Sequence, residues 1–233
     1  IPSISKPFTA VAALLLVEEG RLDLDVPIQT YLPSFPKKQW PLTMRQLLGH
    51  LGGIRHYRPD HSDQNSTRHY WSVAEGLEMF AYDPLEHQPG TRYLYSSYGF
   101  NLAGAVVERI AQIPFDQFVR DRILAPCGMQ SMQPDNVYRI IPHRVRGYRK
   151  RANGTVENCA LADTSNKIPG GGWVSSASDL VRFASVLMEG RILKQETLKQ
   201  MWTPQKLQSG KSTGYGMGWS VDQTGSRLVV SHG

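Results

Sequence analysis

Phe8-Thr9-Ala10-Val11-Ala12-Ala13-Leu14-Leu15-Leu16-Val17 is apolar at almost every position. A helix on a protein surface keeps a polar face, so a helix without one must be covered on all sides. The reading is a central, buried helix over residues 3–19, closed by Gly20 as its C′ residue. The run falls short of the ~18–20 apolar residues that cross a bilayer, so the rest of the chain has to cover it. With 233 residues, 40% of them hydrophobic, the chain can do so as one large domain or as a domain with an inserted lobe.

Immediately before the run stands Ser3-Ile4-Ser5-Lys6. Residues three apart share a helix face, so Ser3 Oγ and Lys6 Nζ can meet at the first turn. Free N–H groups and the positive end of the macrodipole at that point favour an alkoxide. A lysine in a buried or partly cationic setting loses its proton and becomes a base. The same residues also fit a plain helix start, with Ser3 as N-cap and Lys6 solvated, and the motif alone does not separate the two. Pro7 restrains Lys6 from the helical region, so it fits only where the helix is just beginning.

Further along, Thr43 caps a helix predicted over 44–51, and helical spacing recurs over 72–82, 98–111 and 115–124. Strands are expected over 138–147 and 155–161 around the Asn153-Gly154 turn. Ser178-Asp179 reads as a capped start of a helix running to Met188, with another helix over 196–202. The chain closes on a predicted hairpin, strands 215–221 and 227–231 around a turn at 222–226. Helices first and an antiparallel pair last argue against a doubly wound sheet.

A net charge of +6 prompts a search for a nucleic-acid surface. The densest basic stretch, residues 139–151, carries no helix-turn-helix, RNA-binding signature or zinc spacing and reads as a solvated strand and turn. No nucleic-acid partner is expected. Two cysteines, Cys127 and Cys159, are too few for a disulfide framework, and whether they pair stays open. His50 with His56, and His61 with His69, lack metal-ligand spacing, and no H-E-x-x-H, C-x-x-C, P-loop or G-x-S-x-G element occurs.

Three features then fall into order: Ser3 and Lys6 at the head of a buried helix, Tyr95 followed by Ser96 and Ser97 before another helix, and His232-Gly233 at a strand end. Leu47-Leu48-Gly49-His50-Leu51-Gly52-Gly53-Ile54 looks like an L-L-x-H-x-S-G-I block; Pro89-Gly90 with Tyr93-Leu94-Tyr95-Ser96 resembles P-G-x-x-x-x-Y-S; Gly170-Gly171-Gly172 with Ser178-Asp179-Leu180 resembles G-G-x-x-S-T-x-x-D-L. With these blocks the chain resembles the serine β-lactamase and penicillin-binding-protein superfamily, in the branch of class C β-lactamases, D,D-peptidases and esterases. Gly53-Ile54-Arg55-His56-Tyr57, Gly170-Gly171-Gly172-Trp173 and Met201-Trp202-Thr203-Pro204 are similar to the mitochondrial serine β-lactamase-like proteins of animals and their bacterial relatives.

The resemblance implies an α/β (α+β) fold of the β-lactamase/transpeptidase type, an antiparallel sheet flanked by helices plus a helical lobe. It implies a serine hydrolase acting through an acyl-enzyme on a peptide or small-molecule substrate, by amide hydrolysis first and ester or β-lactam hydrolysis second. A non-catalytic scaffold or ligand-binding member is the alternative from another class. Ser3 is then the nucleophile, Lys6 its base partner and Tyr95 a phenolate or proton relay, with Ser97, His232 and Gly233 binding substrate. No cofactor or metal is implied. The compartment would be the bacterial periplasm, the extracellular space or the mitochondrion; substrate identity and oligomeric state are not readable.

Two positions depart from the family pattern. Ser97 stands where the third residue of the tyrosine element is usually asparagine, and it lacks a two-sided amide. His232 replaces the lysine of K-T-G, exchanging a constant positive charge for a side chain mostly neutral at pH 7. That lowers the expectation of β-lactam hydrolysis and raises that of peptides or esters. The resemblance also places strands before residue 1 and after residue 233, so residues 1–233 are expected to form one incomplete domain. One oxyanion N–H would come from Ser3 and the second from just past Gly233. Losing one such donor typically costs ~10²–10³ in rate, so these residues alone are expected to show little activity and poor solubility.

Overall fold

The structure, a computed structural model, describes residues 1–60 and 62–233; His61, weighed above as a metal ligand, lies outside the described residues. Helix α1, Ser5–Glu18, is buried from Ser5 through Leu16, as its unbroken apolar character requires. Phe8, Val11, Leu14 and Leu16 are all 1% exposed or less, each worth roughly 1.5–3 kcal/mol over leaving it in water. Burial, more than helix propensity, therefore holds α1 in place. It ends in a Schellman closure, Gly20 N–H to Val17 O at 2.9 Å and Arg21 N–H to Leu16 O at 2.9 Å. Because the helix begins at Ser5, Pro7 falls in its first turn, where no N–H is needed.

Two elements form the inner cover of α1: α4, Ser97–Ala111, and the short α6, Ile168–Gly171. Around them lie α2 (Met44–Leu48), α3 (Val73–Gly76), α5 (Phe115–Val119, continued by a π-turn, Arg120–Leu124), α7 (Ala177–Met188) and α8 (Gln195–Met201). From α7, Phe183 stacks on Phe8 of α1 with centroids 4.0 Å apart. Among the described residues the strands form three antiparallel pairs. Strand β1 (Gln133–Pro134) pairs with β4 (Trp173–Val174), β2 (Tyr148–Lys150) with β3 (Val156–Asn158), and β5 (Ser220–Thr224) with β6 (Arg227–Ser231). In the last pair Val221 faces Val230 and Thr224 faces Arg227. The mixed, antiparallel architecture expected from the order of elements is present.

Boundaries moved where local chemistry intervenes. Helix α2 has its Thr43 capping box but stops at Leu48, because His50 takes a left-handed φ of 59°. The helix expected over 72–82 is one α-turn followed by a 3-10 turn, Leu77–Met79. Residues 138–147 form no strand; turns at Arg139 and Arg144 break them up, and the hairpin begins at Tyr148. Ser176, not Ser178, caps α7, its Oγ accepting the Asp179 N–H at 3.3 Å. Residues 215–219 curl so that Gly216 N–H meets Trp219 O at 2.8 Å, which delays β5 to Ser220. Cys127 is buried and Cys159 exposed, both as free thiols. Among the described residues no helix is long and apolar enough to cross a membrane.

One approach positions the site. A Cβ on Gly104 of α4 would stand 2.3 Å from Pro169 Cγ, and one on Gly170 would stand 2.8 Å from both Asn101 Oδ1 and Ser97 O. Close backbone packing of α4 against α6 thus needs both glycines. Gly104→Ala gains up to about 1 kcal/mol of helix propensity but overpacks this contact, which typically costs about 1–3 kcal/mol. A lower urea midpoint is expected; an unchanged or raised one would show that Pro169 moves away freely.

Candidate active site

Ser3 lies in the turn that feeds α1, with Lys6 N–H donating to Ser3 O at 2.9 Å. The N-cap position belongs to Ile4, and no side chain caps the helix. Ser3 Oγ is used differently: it accepts from Lys6 Nζ at 3.1 Å and from the Tyr95 hydroxyl at 2.8 Å. Lys6 is 0% exposed, so the alternative of a capping serine and a solvated lysine does not describe this turn. Its Nζ also donates to Gly170 O at 2.7 Å and lies 4.9 Å from the Tyr95 ring centroid. Among the described residues no carboxylate lies within ion-pair distance of it. Burial without a counter-charge disfavours the ammonium and pulls Lys6 down to about 7.

Tyr95 precedes Ser96, the N-cap of α4, whose Oγ accepts the Gly99 N–H at 2.9 Å and donates to Arg55 O at 2.8 Å. Two histidines fasten this corner by accepting backbone hydrogens. His50 Nδ1 takes the Ser96 N–H at 3.1 Å, and His56 Nδ1 takes the Ser97 N–H at 3.2 Å. An imidazole that accepts in this way is neutral, and burial together with the nearby Lys6 charge keeps both so. His56 is held down to about 4 and His50 well below its ordinary value. The His50 ring also packs against that of Tyr95, centroids 4.3 Å apart. Burial raises the Tyr95 hydroxyl above its ordinary value, against a weaker lowering by the bond to Ser3.

The remaining expected residues surround this trio without joining its hydrogen bonds. Ser97, 2% exposed, lines the same groove as Ser3. His232 follows β6, its ring 6.3 Å from that of Tyr95 and its Nδ1–H donating to Gly233 O at 3.0 Å. Burial and Lys6 push His232 down to about 4, so it is neutral. Gly233 is exposed. Spacing arguments gave no role to His50, His56, Lys167 or the Gly170 carbonyl. The two histidines stand in the blocks that carry the family resemblance and lack metal-ligand spacing, and nothing in their spacing shows that they reach the α4 N-terminus.

The family profile described as beta-lactamase matches residues 1–233. The chain is 27% identical to the serine beta-lactamase-like protein LACTB, mitochondrial, of Homo sapiens, over 95% of this chain and 56% of that protein. It thus spans little more than half of that relative's length. Among solved structures, it is similar to a D-stereospecific amidohydrolase from Streptomyces sp., with a TM-score of 0.83 and 27% identity over 100% of this chain and 73% of that one. It is likewise similar to the D-amino acid amidase from Ochrobactrum anthropi SV3, with a TM-score of 0.81 and 27% identity over 100% of this chain and 69% of the other. The match runs the whole length of the chain, in sequence and in fold, and the chain belongs to the beta-lactamase family.

Proposed function

We propose that this chain is a serine hydrolase that cleaves amide bonds through a covalent acyl-enzyme, with Ser3 as nucleophile. The observation that carries the reading is Ser3 Oγ held 3.1 Å from the Nζ of a fully buried lysine and 2.8 Å from a tyrosine hydroxyl. A serine hydroxyl attacks poorly until a neighbour takes its proton. With Lys6 held down to about 7, much of it is neutral amine near neutral pH, and in that form Nζ accepts the Ser3 proton as Oγ bonds to the substrate carbonyl carbon. Gly170 O keeps Nζ aimed.

Tyr95, raised by burial, serves as a neutral hydroxyl in a proton relay rather than as a phenolate. It passes a proton to the leaving nitrogen, and Lys6 replenishes it. The C–N bond breaks, the amine departs with that proton, and the acyl group stays on Ser3. Water then attacks the ester, its proton travels back through the same groups, and Ser3 is regenerated. Among the described residues the Ser3 N–H donates to no carbonyl, which leaves it available to the developing oxyanion.

Neutral His232 offers no fixed positive charge to a carboxylate beside the scissile bond. This supports amides and esters over β-lactams, as do the names of the two amide-cleaving structural relatives. A fluorophosphonate probe applied to the intact protein should label Ser3, and Ser3→Ala should abolish labelling and lower turnover by roughly 10⁶. No adduct would leave a non-catalytic member of the family as the better description, and an adduct that survives Ser3→Ala would take the nucleophile's role away from Ser3.

The pH profile identifies the base. Deprotonated Lys6 is the active form, so kcat/KM for an uncharged amide should rise between about pH 5 and about pH 9, with its midpoint near the lysine value of about 7. Lys6→Arg, which keeps the charge but cannot lose it, should remove both the activity and this limb. A midpoint of about 4 would belong to His56 or His232 instead.

A further inference from the structure

A groove of about 360 Å³ opens beside Ser3, with walls from His56, Tyr57, Ser97, Gly170 and Lys167 among others. Tyr95 and His232 are not among its walls. If Tyr95 delivers the proton to the leaving nitrogen, the leaving group lies on the Tyr95 side of Ser3. The groove, whose walls do not include Tyr95, then holds the part of the substrate that stays on Ser3, the acyl group. Among the described residues no carboxylate lines it, and Lys167 is its one cationic side chain.

Lys167 is 9% exposed. Its Nζ donates to Gln64 O at 3.1 Å and lies 5.6 Å from the Tyr57 ring centroid. Asp63 and Asp163 are near enough to stabilise the charge, but burial outweighs them and lowers the lysine from its ordinary value. Both carboxylates are committed elsewhere. Asp63 accepts from Arg55 at 2.8 Å and from the Arg58 N–H at 3.1 Å, while Asp163 meets His69 at 2.7 Å and accepts the Ser165 N–H at 2.8 Å. Among the described residues no carboxylate stands within ion-pair distance of Lys167 Nζ. An ammonium has three donors, and among the described residues the Gln64 carbonyl is the acceptor that Lys167 meets, so its charge has no counter-ion within reach. An anion entering the groove would supply what it lacks.

We infer that Lys167 is a specificity-determining residue: its ammonium binds a carboxylate carried on the acyl part of the substrate, so the favoured substrates are amides or esters of acyl groups with a distal carboxylate. The inference rests on the hydrolase reading and deepens it. Lys167 directly precedes α6, whose Gly170 carbonyl holds Lys6 Nζ. One short segment therefore sets both the base and the ammonium, keeping the scissile carbonyl and the distal anion in register.

The test compares mono-4-nitrophenyl esters of adipate, pimelate and suberate with the 4-nitrophenyl alkanoates of matching chain length, using the intact protein. At least one dicarboxylate ester should be preferred by about tenfold or more in kcat/KM, the scale of one charge-assisted hydrogen bond. Lys167→Met should bring that ratio to within about threefold of unity, mainly through KM, and Lys167→Arg should retain it. Absence of a preference across the series, or a preference that survives Lys167→Met, overturns the inference. A second arm needs no turnover: calorimetry on Ser3→Ala should show adipamate binding about tenfold tighter than hexanamide, a difference lost when Lys167→Met is added. Turnover without the charge preference sinks this inference alone. Absence of turnover and of probe labelling, with Lys167-dependent adipamate binding intact, sinks the hydrolase reading alone.

Discussion

Lys6 sits fully buried with, among the described residues, no carboxylate to meet its charge, and the rest of the site is arranged around that enclosure. Its Nζ has Ser3 Oγ and Gly170 O as hydrogen-bond partners and the Tyr95 and Phe100 ring faces nearby. Keeping an ammonium in such a place costs several kcal/mol. The cost falls when the group gives up its proton, which is why Lys6 is drawn down to about 7. A carboxylate beside it would relieve the strain and return the lysine to its ordinary basicity, leaving a cation unable to take a proton. In the proposed mechanism, the lack of a counter-charge among the described residues is thus what lets Lys6 take the Ser3 proton.

The enclosure depends on how closely the covering elements approach. Helix α1 carries Lys6 inward because it has no polar face to turn outward. Gly104 and Gly170 let α4 and α6 close over it until the Gly170 carbonyl stands 2.7 Å from Nζ. The N-terminus of α4 belongs to the same enclosure, and there His50 and His56 accept backbone hydrogens and hold the Tyr95 corner. Because both are neutral, they position the tyrosine without adding positive charge beside the lysine. Lys167 is the contrasting case. It is also buried, but it lies within the field of two committed carboxylates and on the wall of a groove rather than under the floor.

Much of this was legible in the residues. The apolar run at 8–17 required a central helix, and the S-x-x-K element, the tyrosine block and the terminal His232-Gly233 pointed to one superfamily, which the full-length family match bears out. The structure brings Ser3, Lys6 and Tyr95 into hydrogen-bond contact, with Ser97 lining the same groove and His232 beside the tyrosine. Less legible were the element ends. The left-handed turn at His50, the cap at Ser176 and the irregular path through 138–147 depend on contacts or backbone conformations that periodicity does not register.

By itself the sequence determined the buried helix, the residue types able to do acyl-transfer chemistry and the family they belong to, because these reside in local pattern: hydrophobic periodicity, i to i+3 spacing and ordered blocks. Which state those residues take was decided by the tertiary structure. Whether Lys6 is solvated or enclosed, whether Ser3 caps a helix or faces a tyrosine, and which backbone hydrogens His50 and His56 accept all turn on burial. Burial here is produced by segments distant in the chain, Gly170 against Lys6 and Ser96 against His50. Proton affinity follows the local dielectric and the partners within a few ångströms, and no reading along the chain contains either.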